Sequence, residues 1–137
     1  KNKYPNIPDI LLHEISAHQP FAIGDIDIMP IEVMHGQLPI LGFRFKNFAY
    51  ITDMKYIDDC ELRYLKGLDL LIVNALRFNK PHHSHQLVDD AVDFARKIGA
   101  KKTLLIHTNH HIGRYDEVNK MLPDDIKLAY DGQIVIL

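Results

Sequence analysis

Leu104-Leu105-Ile106-His107-Thr108-Asn109-His110-His111 is an apolar run of strand length that discharges into a polar, histidine-rich loop. With Thr103 before it, the run reads as a buried strand ending at His107. Upstream, Val88, Ala91, Val92, Ala95 and Ile98 share one helical stripe. Asp89 and Asp90 sit at its start, Arg96 and Lys97 near its end, and Gly99 follows as a stop, so the spacing predicts an amphipathic helix. Before that helix, residues 68–74 form a second continuous apolar run of strand length, preceded by helical spacing over 57–65. The β-branched pattern over 21–33, with a turn signal at Gly24-Asp25, predicts a short hairpin and then a strand ending near Met34-His35-Gly36. Residues 41–45 and 48–52 flank Lys46-Asn47 as a second hairpin closing at Asp53. Tyr115 to Met121 reads as a short helix, and 128–136, turning at Asp131-Gly132, as a terminal hairpin. Hairpins around a strand–helix–strand–helix series predict an α/β protein with a mixed sheet and flanking helices.

The chain has 137 residues, 47% hydrophobic and 25% charged, and a formal charge of −2, which is the mixture of one globular domain and argues against a disordered or repeat protein. Its lysines and arginines are scattered, so no field for backbone-driven nucleic-acid binding is evident. No apolar run approaches the roughly 20 residues of a membrane span, and the N-terminus lacks the apolar stretch of a signal peptide. The single Cys60 excludes an intramolecular disulfide framework, and a cytoplasmic location is expected. The chain opens on Lys1 rather than Met, and we expect it to be a piece of something longer.

The chemistry rests on nine histidines, several of them at predicted strand ends. His35, Asp53 and His107 each fall at or just beyond a predicted strand, where loops build active sites. Imidazoles with a carboxylate are an ordinary donor set for zinc or manganese, whereas Asp53 alone reads equally as a cap or turn former. His82, His83 and His85 precede the long helix. His83-Ser84-His85 begins like His-x-His-x-Asp-His, but Leu87 and Val88 occupy the places of the aspartate and last histidine. Their bland reading is a solvated loop. A single imidazole there suits contact with a phosphate oxygen or protonation of a leaving group. Phosphate-cradling glycine loops, serine-nucleophile elbows and paired-cysteine zinc motifs are absent.

In order, Val33-Met34-His35-Gly36, Tyr50-Ile51-Thr52-Asp53, Ser84-His85-Gln86-Leu87, Leu105-Ile106-His107-Thr108-Asn109-His110 and Leu128-Ala129-Tyr130-Asp131-Gly132 resemble the metallo-β-lactamase fold. More narrowly, they resemble the C-terminal part of hydrolases similar to the cyclic phosphodiesterase of the carbon–phosphorus lyase pathway. The resemblance implies the C-terminal half of an αβ/βα sandwich, with residues 1–137 as a single partial domain whose N-terminal half, bearing His-x-His-x-Asp-His, is missing. It implies two divalent metal ions, zinc or manganese, in the complete enzyme. His35 would ligate the first, Asp53 bridge both and His107 ligate the second. His85 would contact the substrate phosphate and act as general acid, and His110 would be a supporting or structural residue. His82, His83 and His111 receive no role.

The function implied for the complete protein is hydrolysis of a small or cyclic phosphodiester by a metal-bound hydroxide. The chain alone is expected to bind metal weakly and to catalyse little. Alternatives are an RNA-processing nuclease of the same fold and a non-catalytic oligomerising module. An uncovered sheet face leads us to expect a homo-oligomer or association with the missing half.

Overall fold

The computed structural model describes residues 10–137. Strands β1 (Phe21–Ile23), β2 (Ile26–His35), β3 (Leu38–Phe45) and β4 (Phe48–Ile51) form an antiparallel meander. Strands β5 (Leu70–Asn74), β6 (Lys102–Ile106) and β7 (Ile126–Leu128) continue the sheet parallel to β4, giving seven strands in chain order. The mixed α/β sheet is the one expected. Helix α1 (Val88–Ile98) crosses from β5 to β6 and buries Val88, Ala91, Phe94, Ala95 and Ile98. Gly99 ends it at φ 71°, in the left-handed region that glycine reaches without a Cβ penalty. Helix α2 (Tyr115–Met121) connects β6 to β7 and buries Val118. No helix among the described residues is long and apolar enough to cross a membrane.

Two sequence expectations are corrected. Over 57–65 only Glu61–Leu65 is helical, as a 3₁₀ turn. Tyr56 is drawn into an antiparallel bridge with Met34, accepting its N–H at 2.9 Å, so tertiary pairing takes the start of the segment and leaves too little chain for an α-helix. The terminal hairpin over 128–136 does not form either. Residues 126–128 pair in parallel with β6, and a turn does follow at Asp131-Gly132, but the Tyr130 N–H goes to the Gln133 side chain at 3.3 Å. Ile134 and Ile136 stay 85% and 93% exposed.

The sheet has two unlike faces. Ile31, Val33, Ala49, Ile51, Leu71, Val73 and Leu105 point to the side of α1 and form the core with it. On the other face, Phe43 lies opposite Tyr50 and Tyr50 opposite Ile72, while Phe45 stacks on Phe48 with ring centroids 5.4 Å apart. This second face is only half-covered, with Tyr50 39% exposed.

One side chain fixes the loops at the C-terminal ends of the parallel strands. Asn74, the last residue of β5, is 0% exposed. Its Oδ1 accepts the Met54 N–H at 2.8 Å and its Nδ2 donates to the Met54 carbonyl at 2.9 Å. The buried Gln86 side chain donates to the Asn74 carbonyl at 2.7 Å, and its own N–H donates to the Met54 carbonyl at 3.1 Å. Three loops are thereby joined: the one after β4, the end of β5, and the approach to α1. Replacing Asn74 by Ala leaves the Met54 N–H without this partner in a site closed to water. We expect a loss of about 2–4 kcal/mol in unfolding free energy, read as a lower urea midpoint at unchanged slope.

Candidate metal centre

The parallel strands and β2 deliver four side chains to one edge of the sheet. His35 ends β2, and its Nδ1–H donates to the Asp53 carbonyl at 2.7 Å. That bond fixes the ring and leaves Nε2 available as a ligand atom. Gly36 then turns at φ 64°, and a Cβ there would lie 3.3 Å from the His83 carbonyl, so only glycine lets the β2–β3 turn sit this close to the loop carrying His85.

Asp53, two residues past β4, and His107, the residue after β6, both have left-handed backbones, with φ 61° and 55°. Such conformations cost on the order of 1 kcal/mol each and concentrate at sites the surrounding structure over-determines. They aim the two side chains at each other. Asp53 Oδ1 lies 3.2 Å from His85 Nε2 and 3.4 Å from His107 Nε2. The His85 ring stacks on His107 at 4.7 Å and meets His35 edge-on at 4.7 Å. Ligand atoms of His35, Asp53 and His85 all lie within 4.8 Å of one another.

Burial opposes the charge on Asp53, but hydrogen bonds from Thr52 and His85, and the positive charge that His107 and His85 can carry, outweigh it and hold the carboxyl below the usual aspartate range. For His85 burial is the largest influence. Together with His107 and His35 it lowers the imidazole's pKa against the opposing pull of Asp53, favouring the neutral ring that can bind a metal.

This donor set fits a divalent cation. Two donors sharing a tetrahedral ion at roughly 2.0–2.1 Å stand roughly 3.3 Å apart, close to the two distances from Asp53 Oδ1. A carboxylate touching two imidazoles from different loops is the chemistry of a ligand shell for zinc or manganese. The structure thus brings together His35, Asp53, His85 and His107. It leaves His110 outside, exposed, with its ring packed 3.9 Å from that of His111. The loop over 82–85 is less detached than a solvated reading suggests. His82 Nδ1 lies 3.1 Å from His85 Nδ1, and Ser84, buried, sets its Oγ 3.1 Å from the same atom. Asn74 and Gln86, which hold the site loops, escape sequence reasoning. The only sign is a polar residue closing the apolar run at 70–74 and another directly after His85.

The beta-lactamase superfamily domain matches residues 1–108. Among solved structures, a diphosphatase from the PhnP family superposes with a TM-score of 0.83 at 38% identity, over 88% of this chain and 46% of that one. The metallo-beta-lactamase fold protein YhfI from Bacillus subtilis superposes with a TM-score of 0.68 at 21% identity, over 84% of this chain and 51% of YhfI, a likeness of fold alone. A protein named octanoyltransferase, from Porphyromonas gingivalis strain W83, is 40% identical over all 137 residues, but these make up 28% of its length. The chain therefore spans under a third of that curated relative and about half of the solved relatives. With its residues 1–108 matched and its seven-stranded mixed sheet in place, the chain belongs to the beta-lactamase superfamily and has the α/β sheet of the metallo-β-lactamase fold.

Proposed function

We propose that this chain is the C-terminal part of a metal-dependent hydrolase that cleaves a small or cyclic phosphodiester. The observation that carries the reading is the gathering of His35, Asp53, His85 and His107 at one sheet edge, where His85 and His107 come within 3.2 and 3.4 Å of one Asp53 oxygen and His35 is held to the Asp53 carbonyl. His35, Asp53 and His107 would hold the divalent ions at this edge. Such ions neutralise charge on phosphoryl oxygens and make water a nucleophile at neutral pH, so no serine or cysteine is required. The diphosphatase similarity, at 38% identity, supports phosphate chemistry over other hydrolyses of this fold.

The chain's own residues do the positioning. His35 is locked by its bond to the Asp53 carbonyl, and Asp53 by the Asn74 bridge to the neighbouring Met54. His85, 13% exposed and stacked on His107, with Nε2 at 3.2 Å from Asp53 Oδ1, would donate a proton to, or hydrogen-bond, the leaving oxygen. Three metal ligands shared by two ions hold each poorly, so the remaining ligands come from the part of the fold outside this chain. That part, or a second copy, also covers the face of Phe43, Phe45, Phe48 and Tyr50. The octanoyltransferase likeness adds no acyl-transfer chemistry to this reading, because it covers only 28% of that protein.

Titrating zinc and manganese into the chain should show weak binding that His35→Ala, Asp53→Ala and His107→Ala each reduce at least about tenfold; equal affinity in all three variants removes the ligand assignment. In the complete protein, His85→Ala should lower kcat about a hundredfold while metal content stays near that of the wild type, and unchanged turnover would exclude the acid role. Sedimentation of the chain at micromolar concentration should give a mass above the monomer, whereas a dilute, stable monomer counts against a covered face.

A further inference from the structure

The histidine run before α1 exceeds what the proposed hydrolysis requires. Ser84 and Gln86 are buried on either side of His85. Gln86 is tied to Asn74 and Met54, and Ser84 packs under the β2–β3 turn, where a Cβ on Gly36 would lie 3.5 Å from the Ser84 Cβ. Three donor atoms meet in this pinned loop. His82 Nδ1 lies 3.1 Å from His85 Nδ1, and Ser84 Oγ lies 3.1 Å from His85 Nδ1 and 3.3 Å from His82 Nδ1. They gather at the other ring nitrogen of His85 from the one that faces Asp53 at 3.2 Å.

The hydrogens of the triangle do not satisfy it. A carboxylate only accepts, so the Asp53 contact places the proton of a neutral His85 on Nε2 and leaves a lone pair at Nδ1. The Ser84 main-chain N–H donates to His82 Nδ1 at 3.4 Å, so that nitrogen presents a lone pair as well. The Ser84 hydroxyl has one hydrogen and answers one of the two. Two imidazole lone pairs 3.1 Å apart repel unless they share a cation. Donors bound to one ion at roughly 2.0–2.1 Å stand roughly 3.3 Å apart when tetrahedral and roughly 2.9 Å apart when square, and all three sides of the triangle fall in that range.

We propose that His82 Nδ1, His85 Nδ1 and Ser84 Oγ bind a divalent cation of the zinc and copper class, at a site apart from the Asp53 cluster. Imidazole suits both metals. The hydroxyl is the weak member, and the two imidazoles set the affinity. Such an ion holds the His85 ring from its Nδ1 side and leaves Nε2 facing the sheet edge. None of His35, Asp53 and His107 is a ligand here, so the site does not depend on the hydrolase reading.

The test is titration of zinc into the chain, followed by calorimetry and by the NMR signals of the imidazoles. We expect the His82 and His85 signals to shift together, and His82→Gln to remove about one equivalent of zinc or weaken it at least about tenfold, the remaining binding still being lowered by His107→Ala. Ser84→Ala should weaken the same equivalent about threefold, and His110→Gln, at an exposed ring outside the triangle, should leave it unchanged. Zinc that leaves the His82 signals unmoved, or that binds His82→Gln in the same number of equivalents at the same affinity, overturns the proposal. The His82 readings keep that failure distinct from failure of the hydrolase reading, which His35→Ala, Asp53→Ala and His107→Ala decide.

Discussion

The side-chain amide of Asn74 holds the working edge of this protein together. An amide offers a donor and an acceptor in one plane, the complement of a main-chain N–H and C=O, and Asn74 spends both on Met54. Gln86 then closes on the Asn74 carbonyl. Because Asp53 precedes Met54 and His85 precedes Gln86, the bridge fixes a carboxylate and an imidazole that are far apart in sequence. Parallel pairing of β4, β5 and β6 supplies the other half of the constraint, since strands running the same way end at the same edge. Neither device works without the other: the sheet brings the loop ends together, and the buried amides decide where each points.

Much of the fold was legible because its signals are local. Charge order and Gly99 marked both ends of α1, and apolar runs marked β5 and β6. The misread segments are those where a tertiary or side-chain partner outbid the local pattern. Tyr56 is captured by Met34, and the Tyr130 N–H by the Gln133 side chain. The candidate site divides along the same line. His35, Asp53 and His107 could be placed at strand ends from the sequence, and the family resemblance supplied their order. The contact between His82 and His85 depends on how their one loop folds, and the amide bridge on distances between loops, and no spacing encodes either.

The two faces of the sheet answer to different requirements. The side packed by α1 is filled with aliphatic residues at strict register, a core in its own right. The opposite side is aromatic and half-covered, with Phe45 stacked on Phe48. The solved relatives, of which this chain spans about half, show that the same strands occur within larger folds. The α1 side can be complete while the aromatic side is not, so stability and activity need not reside in the same length of chain.

The left-handed backbone at Asp53 narrows what evolution can do there. Glutamate carries the same charge with longer reach, but it does not share the tolerance of aspartate and asparagine for positive φ. Asparagine keeps the turn and deletes the anion. The substitution that disturbs the backbone least is thus one that silences the carboxylate. A lineage released from selection on this chemistry can drift into a folded, inert descendant in a single step, leaving an intact scaffold open to another use.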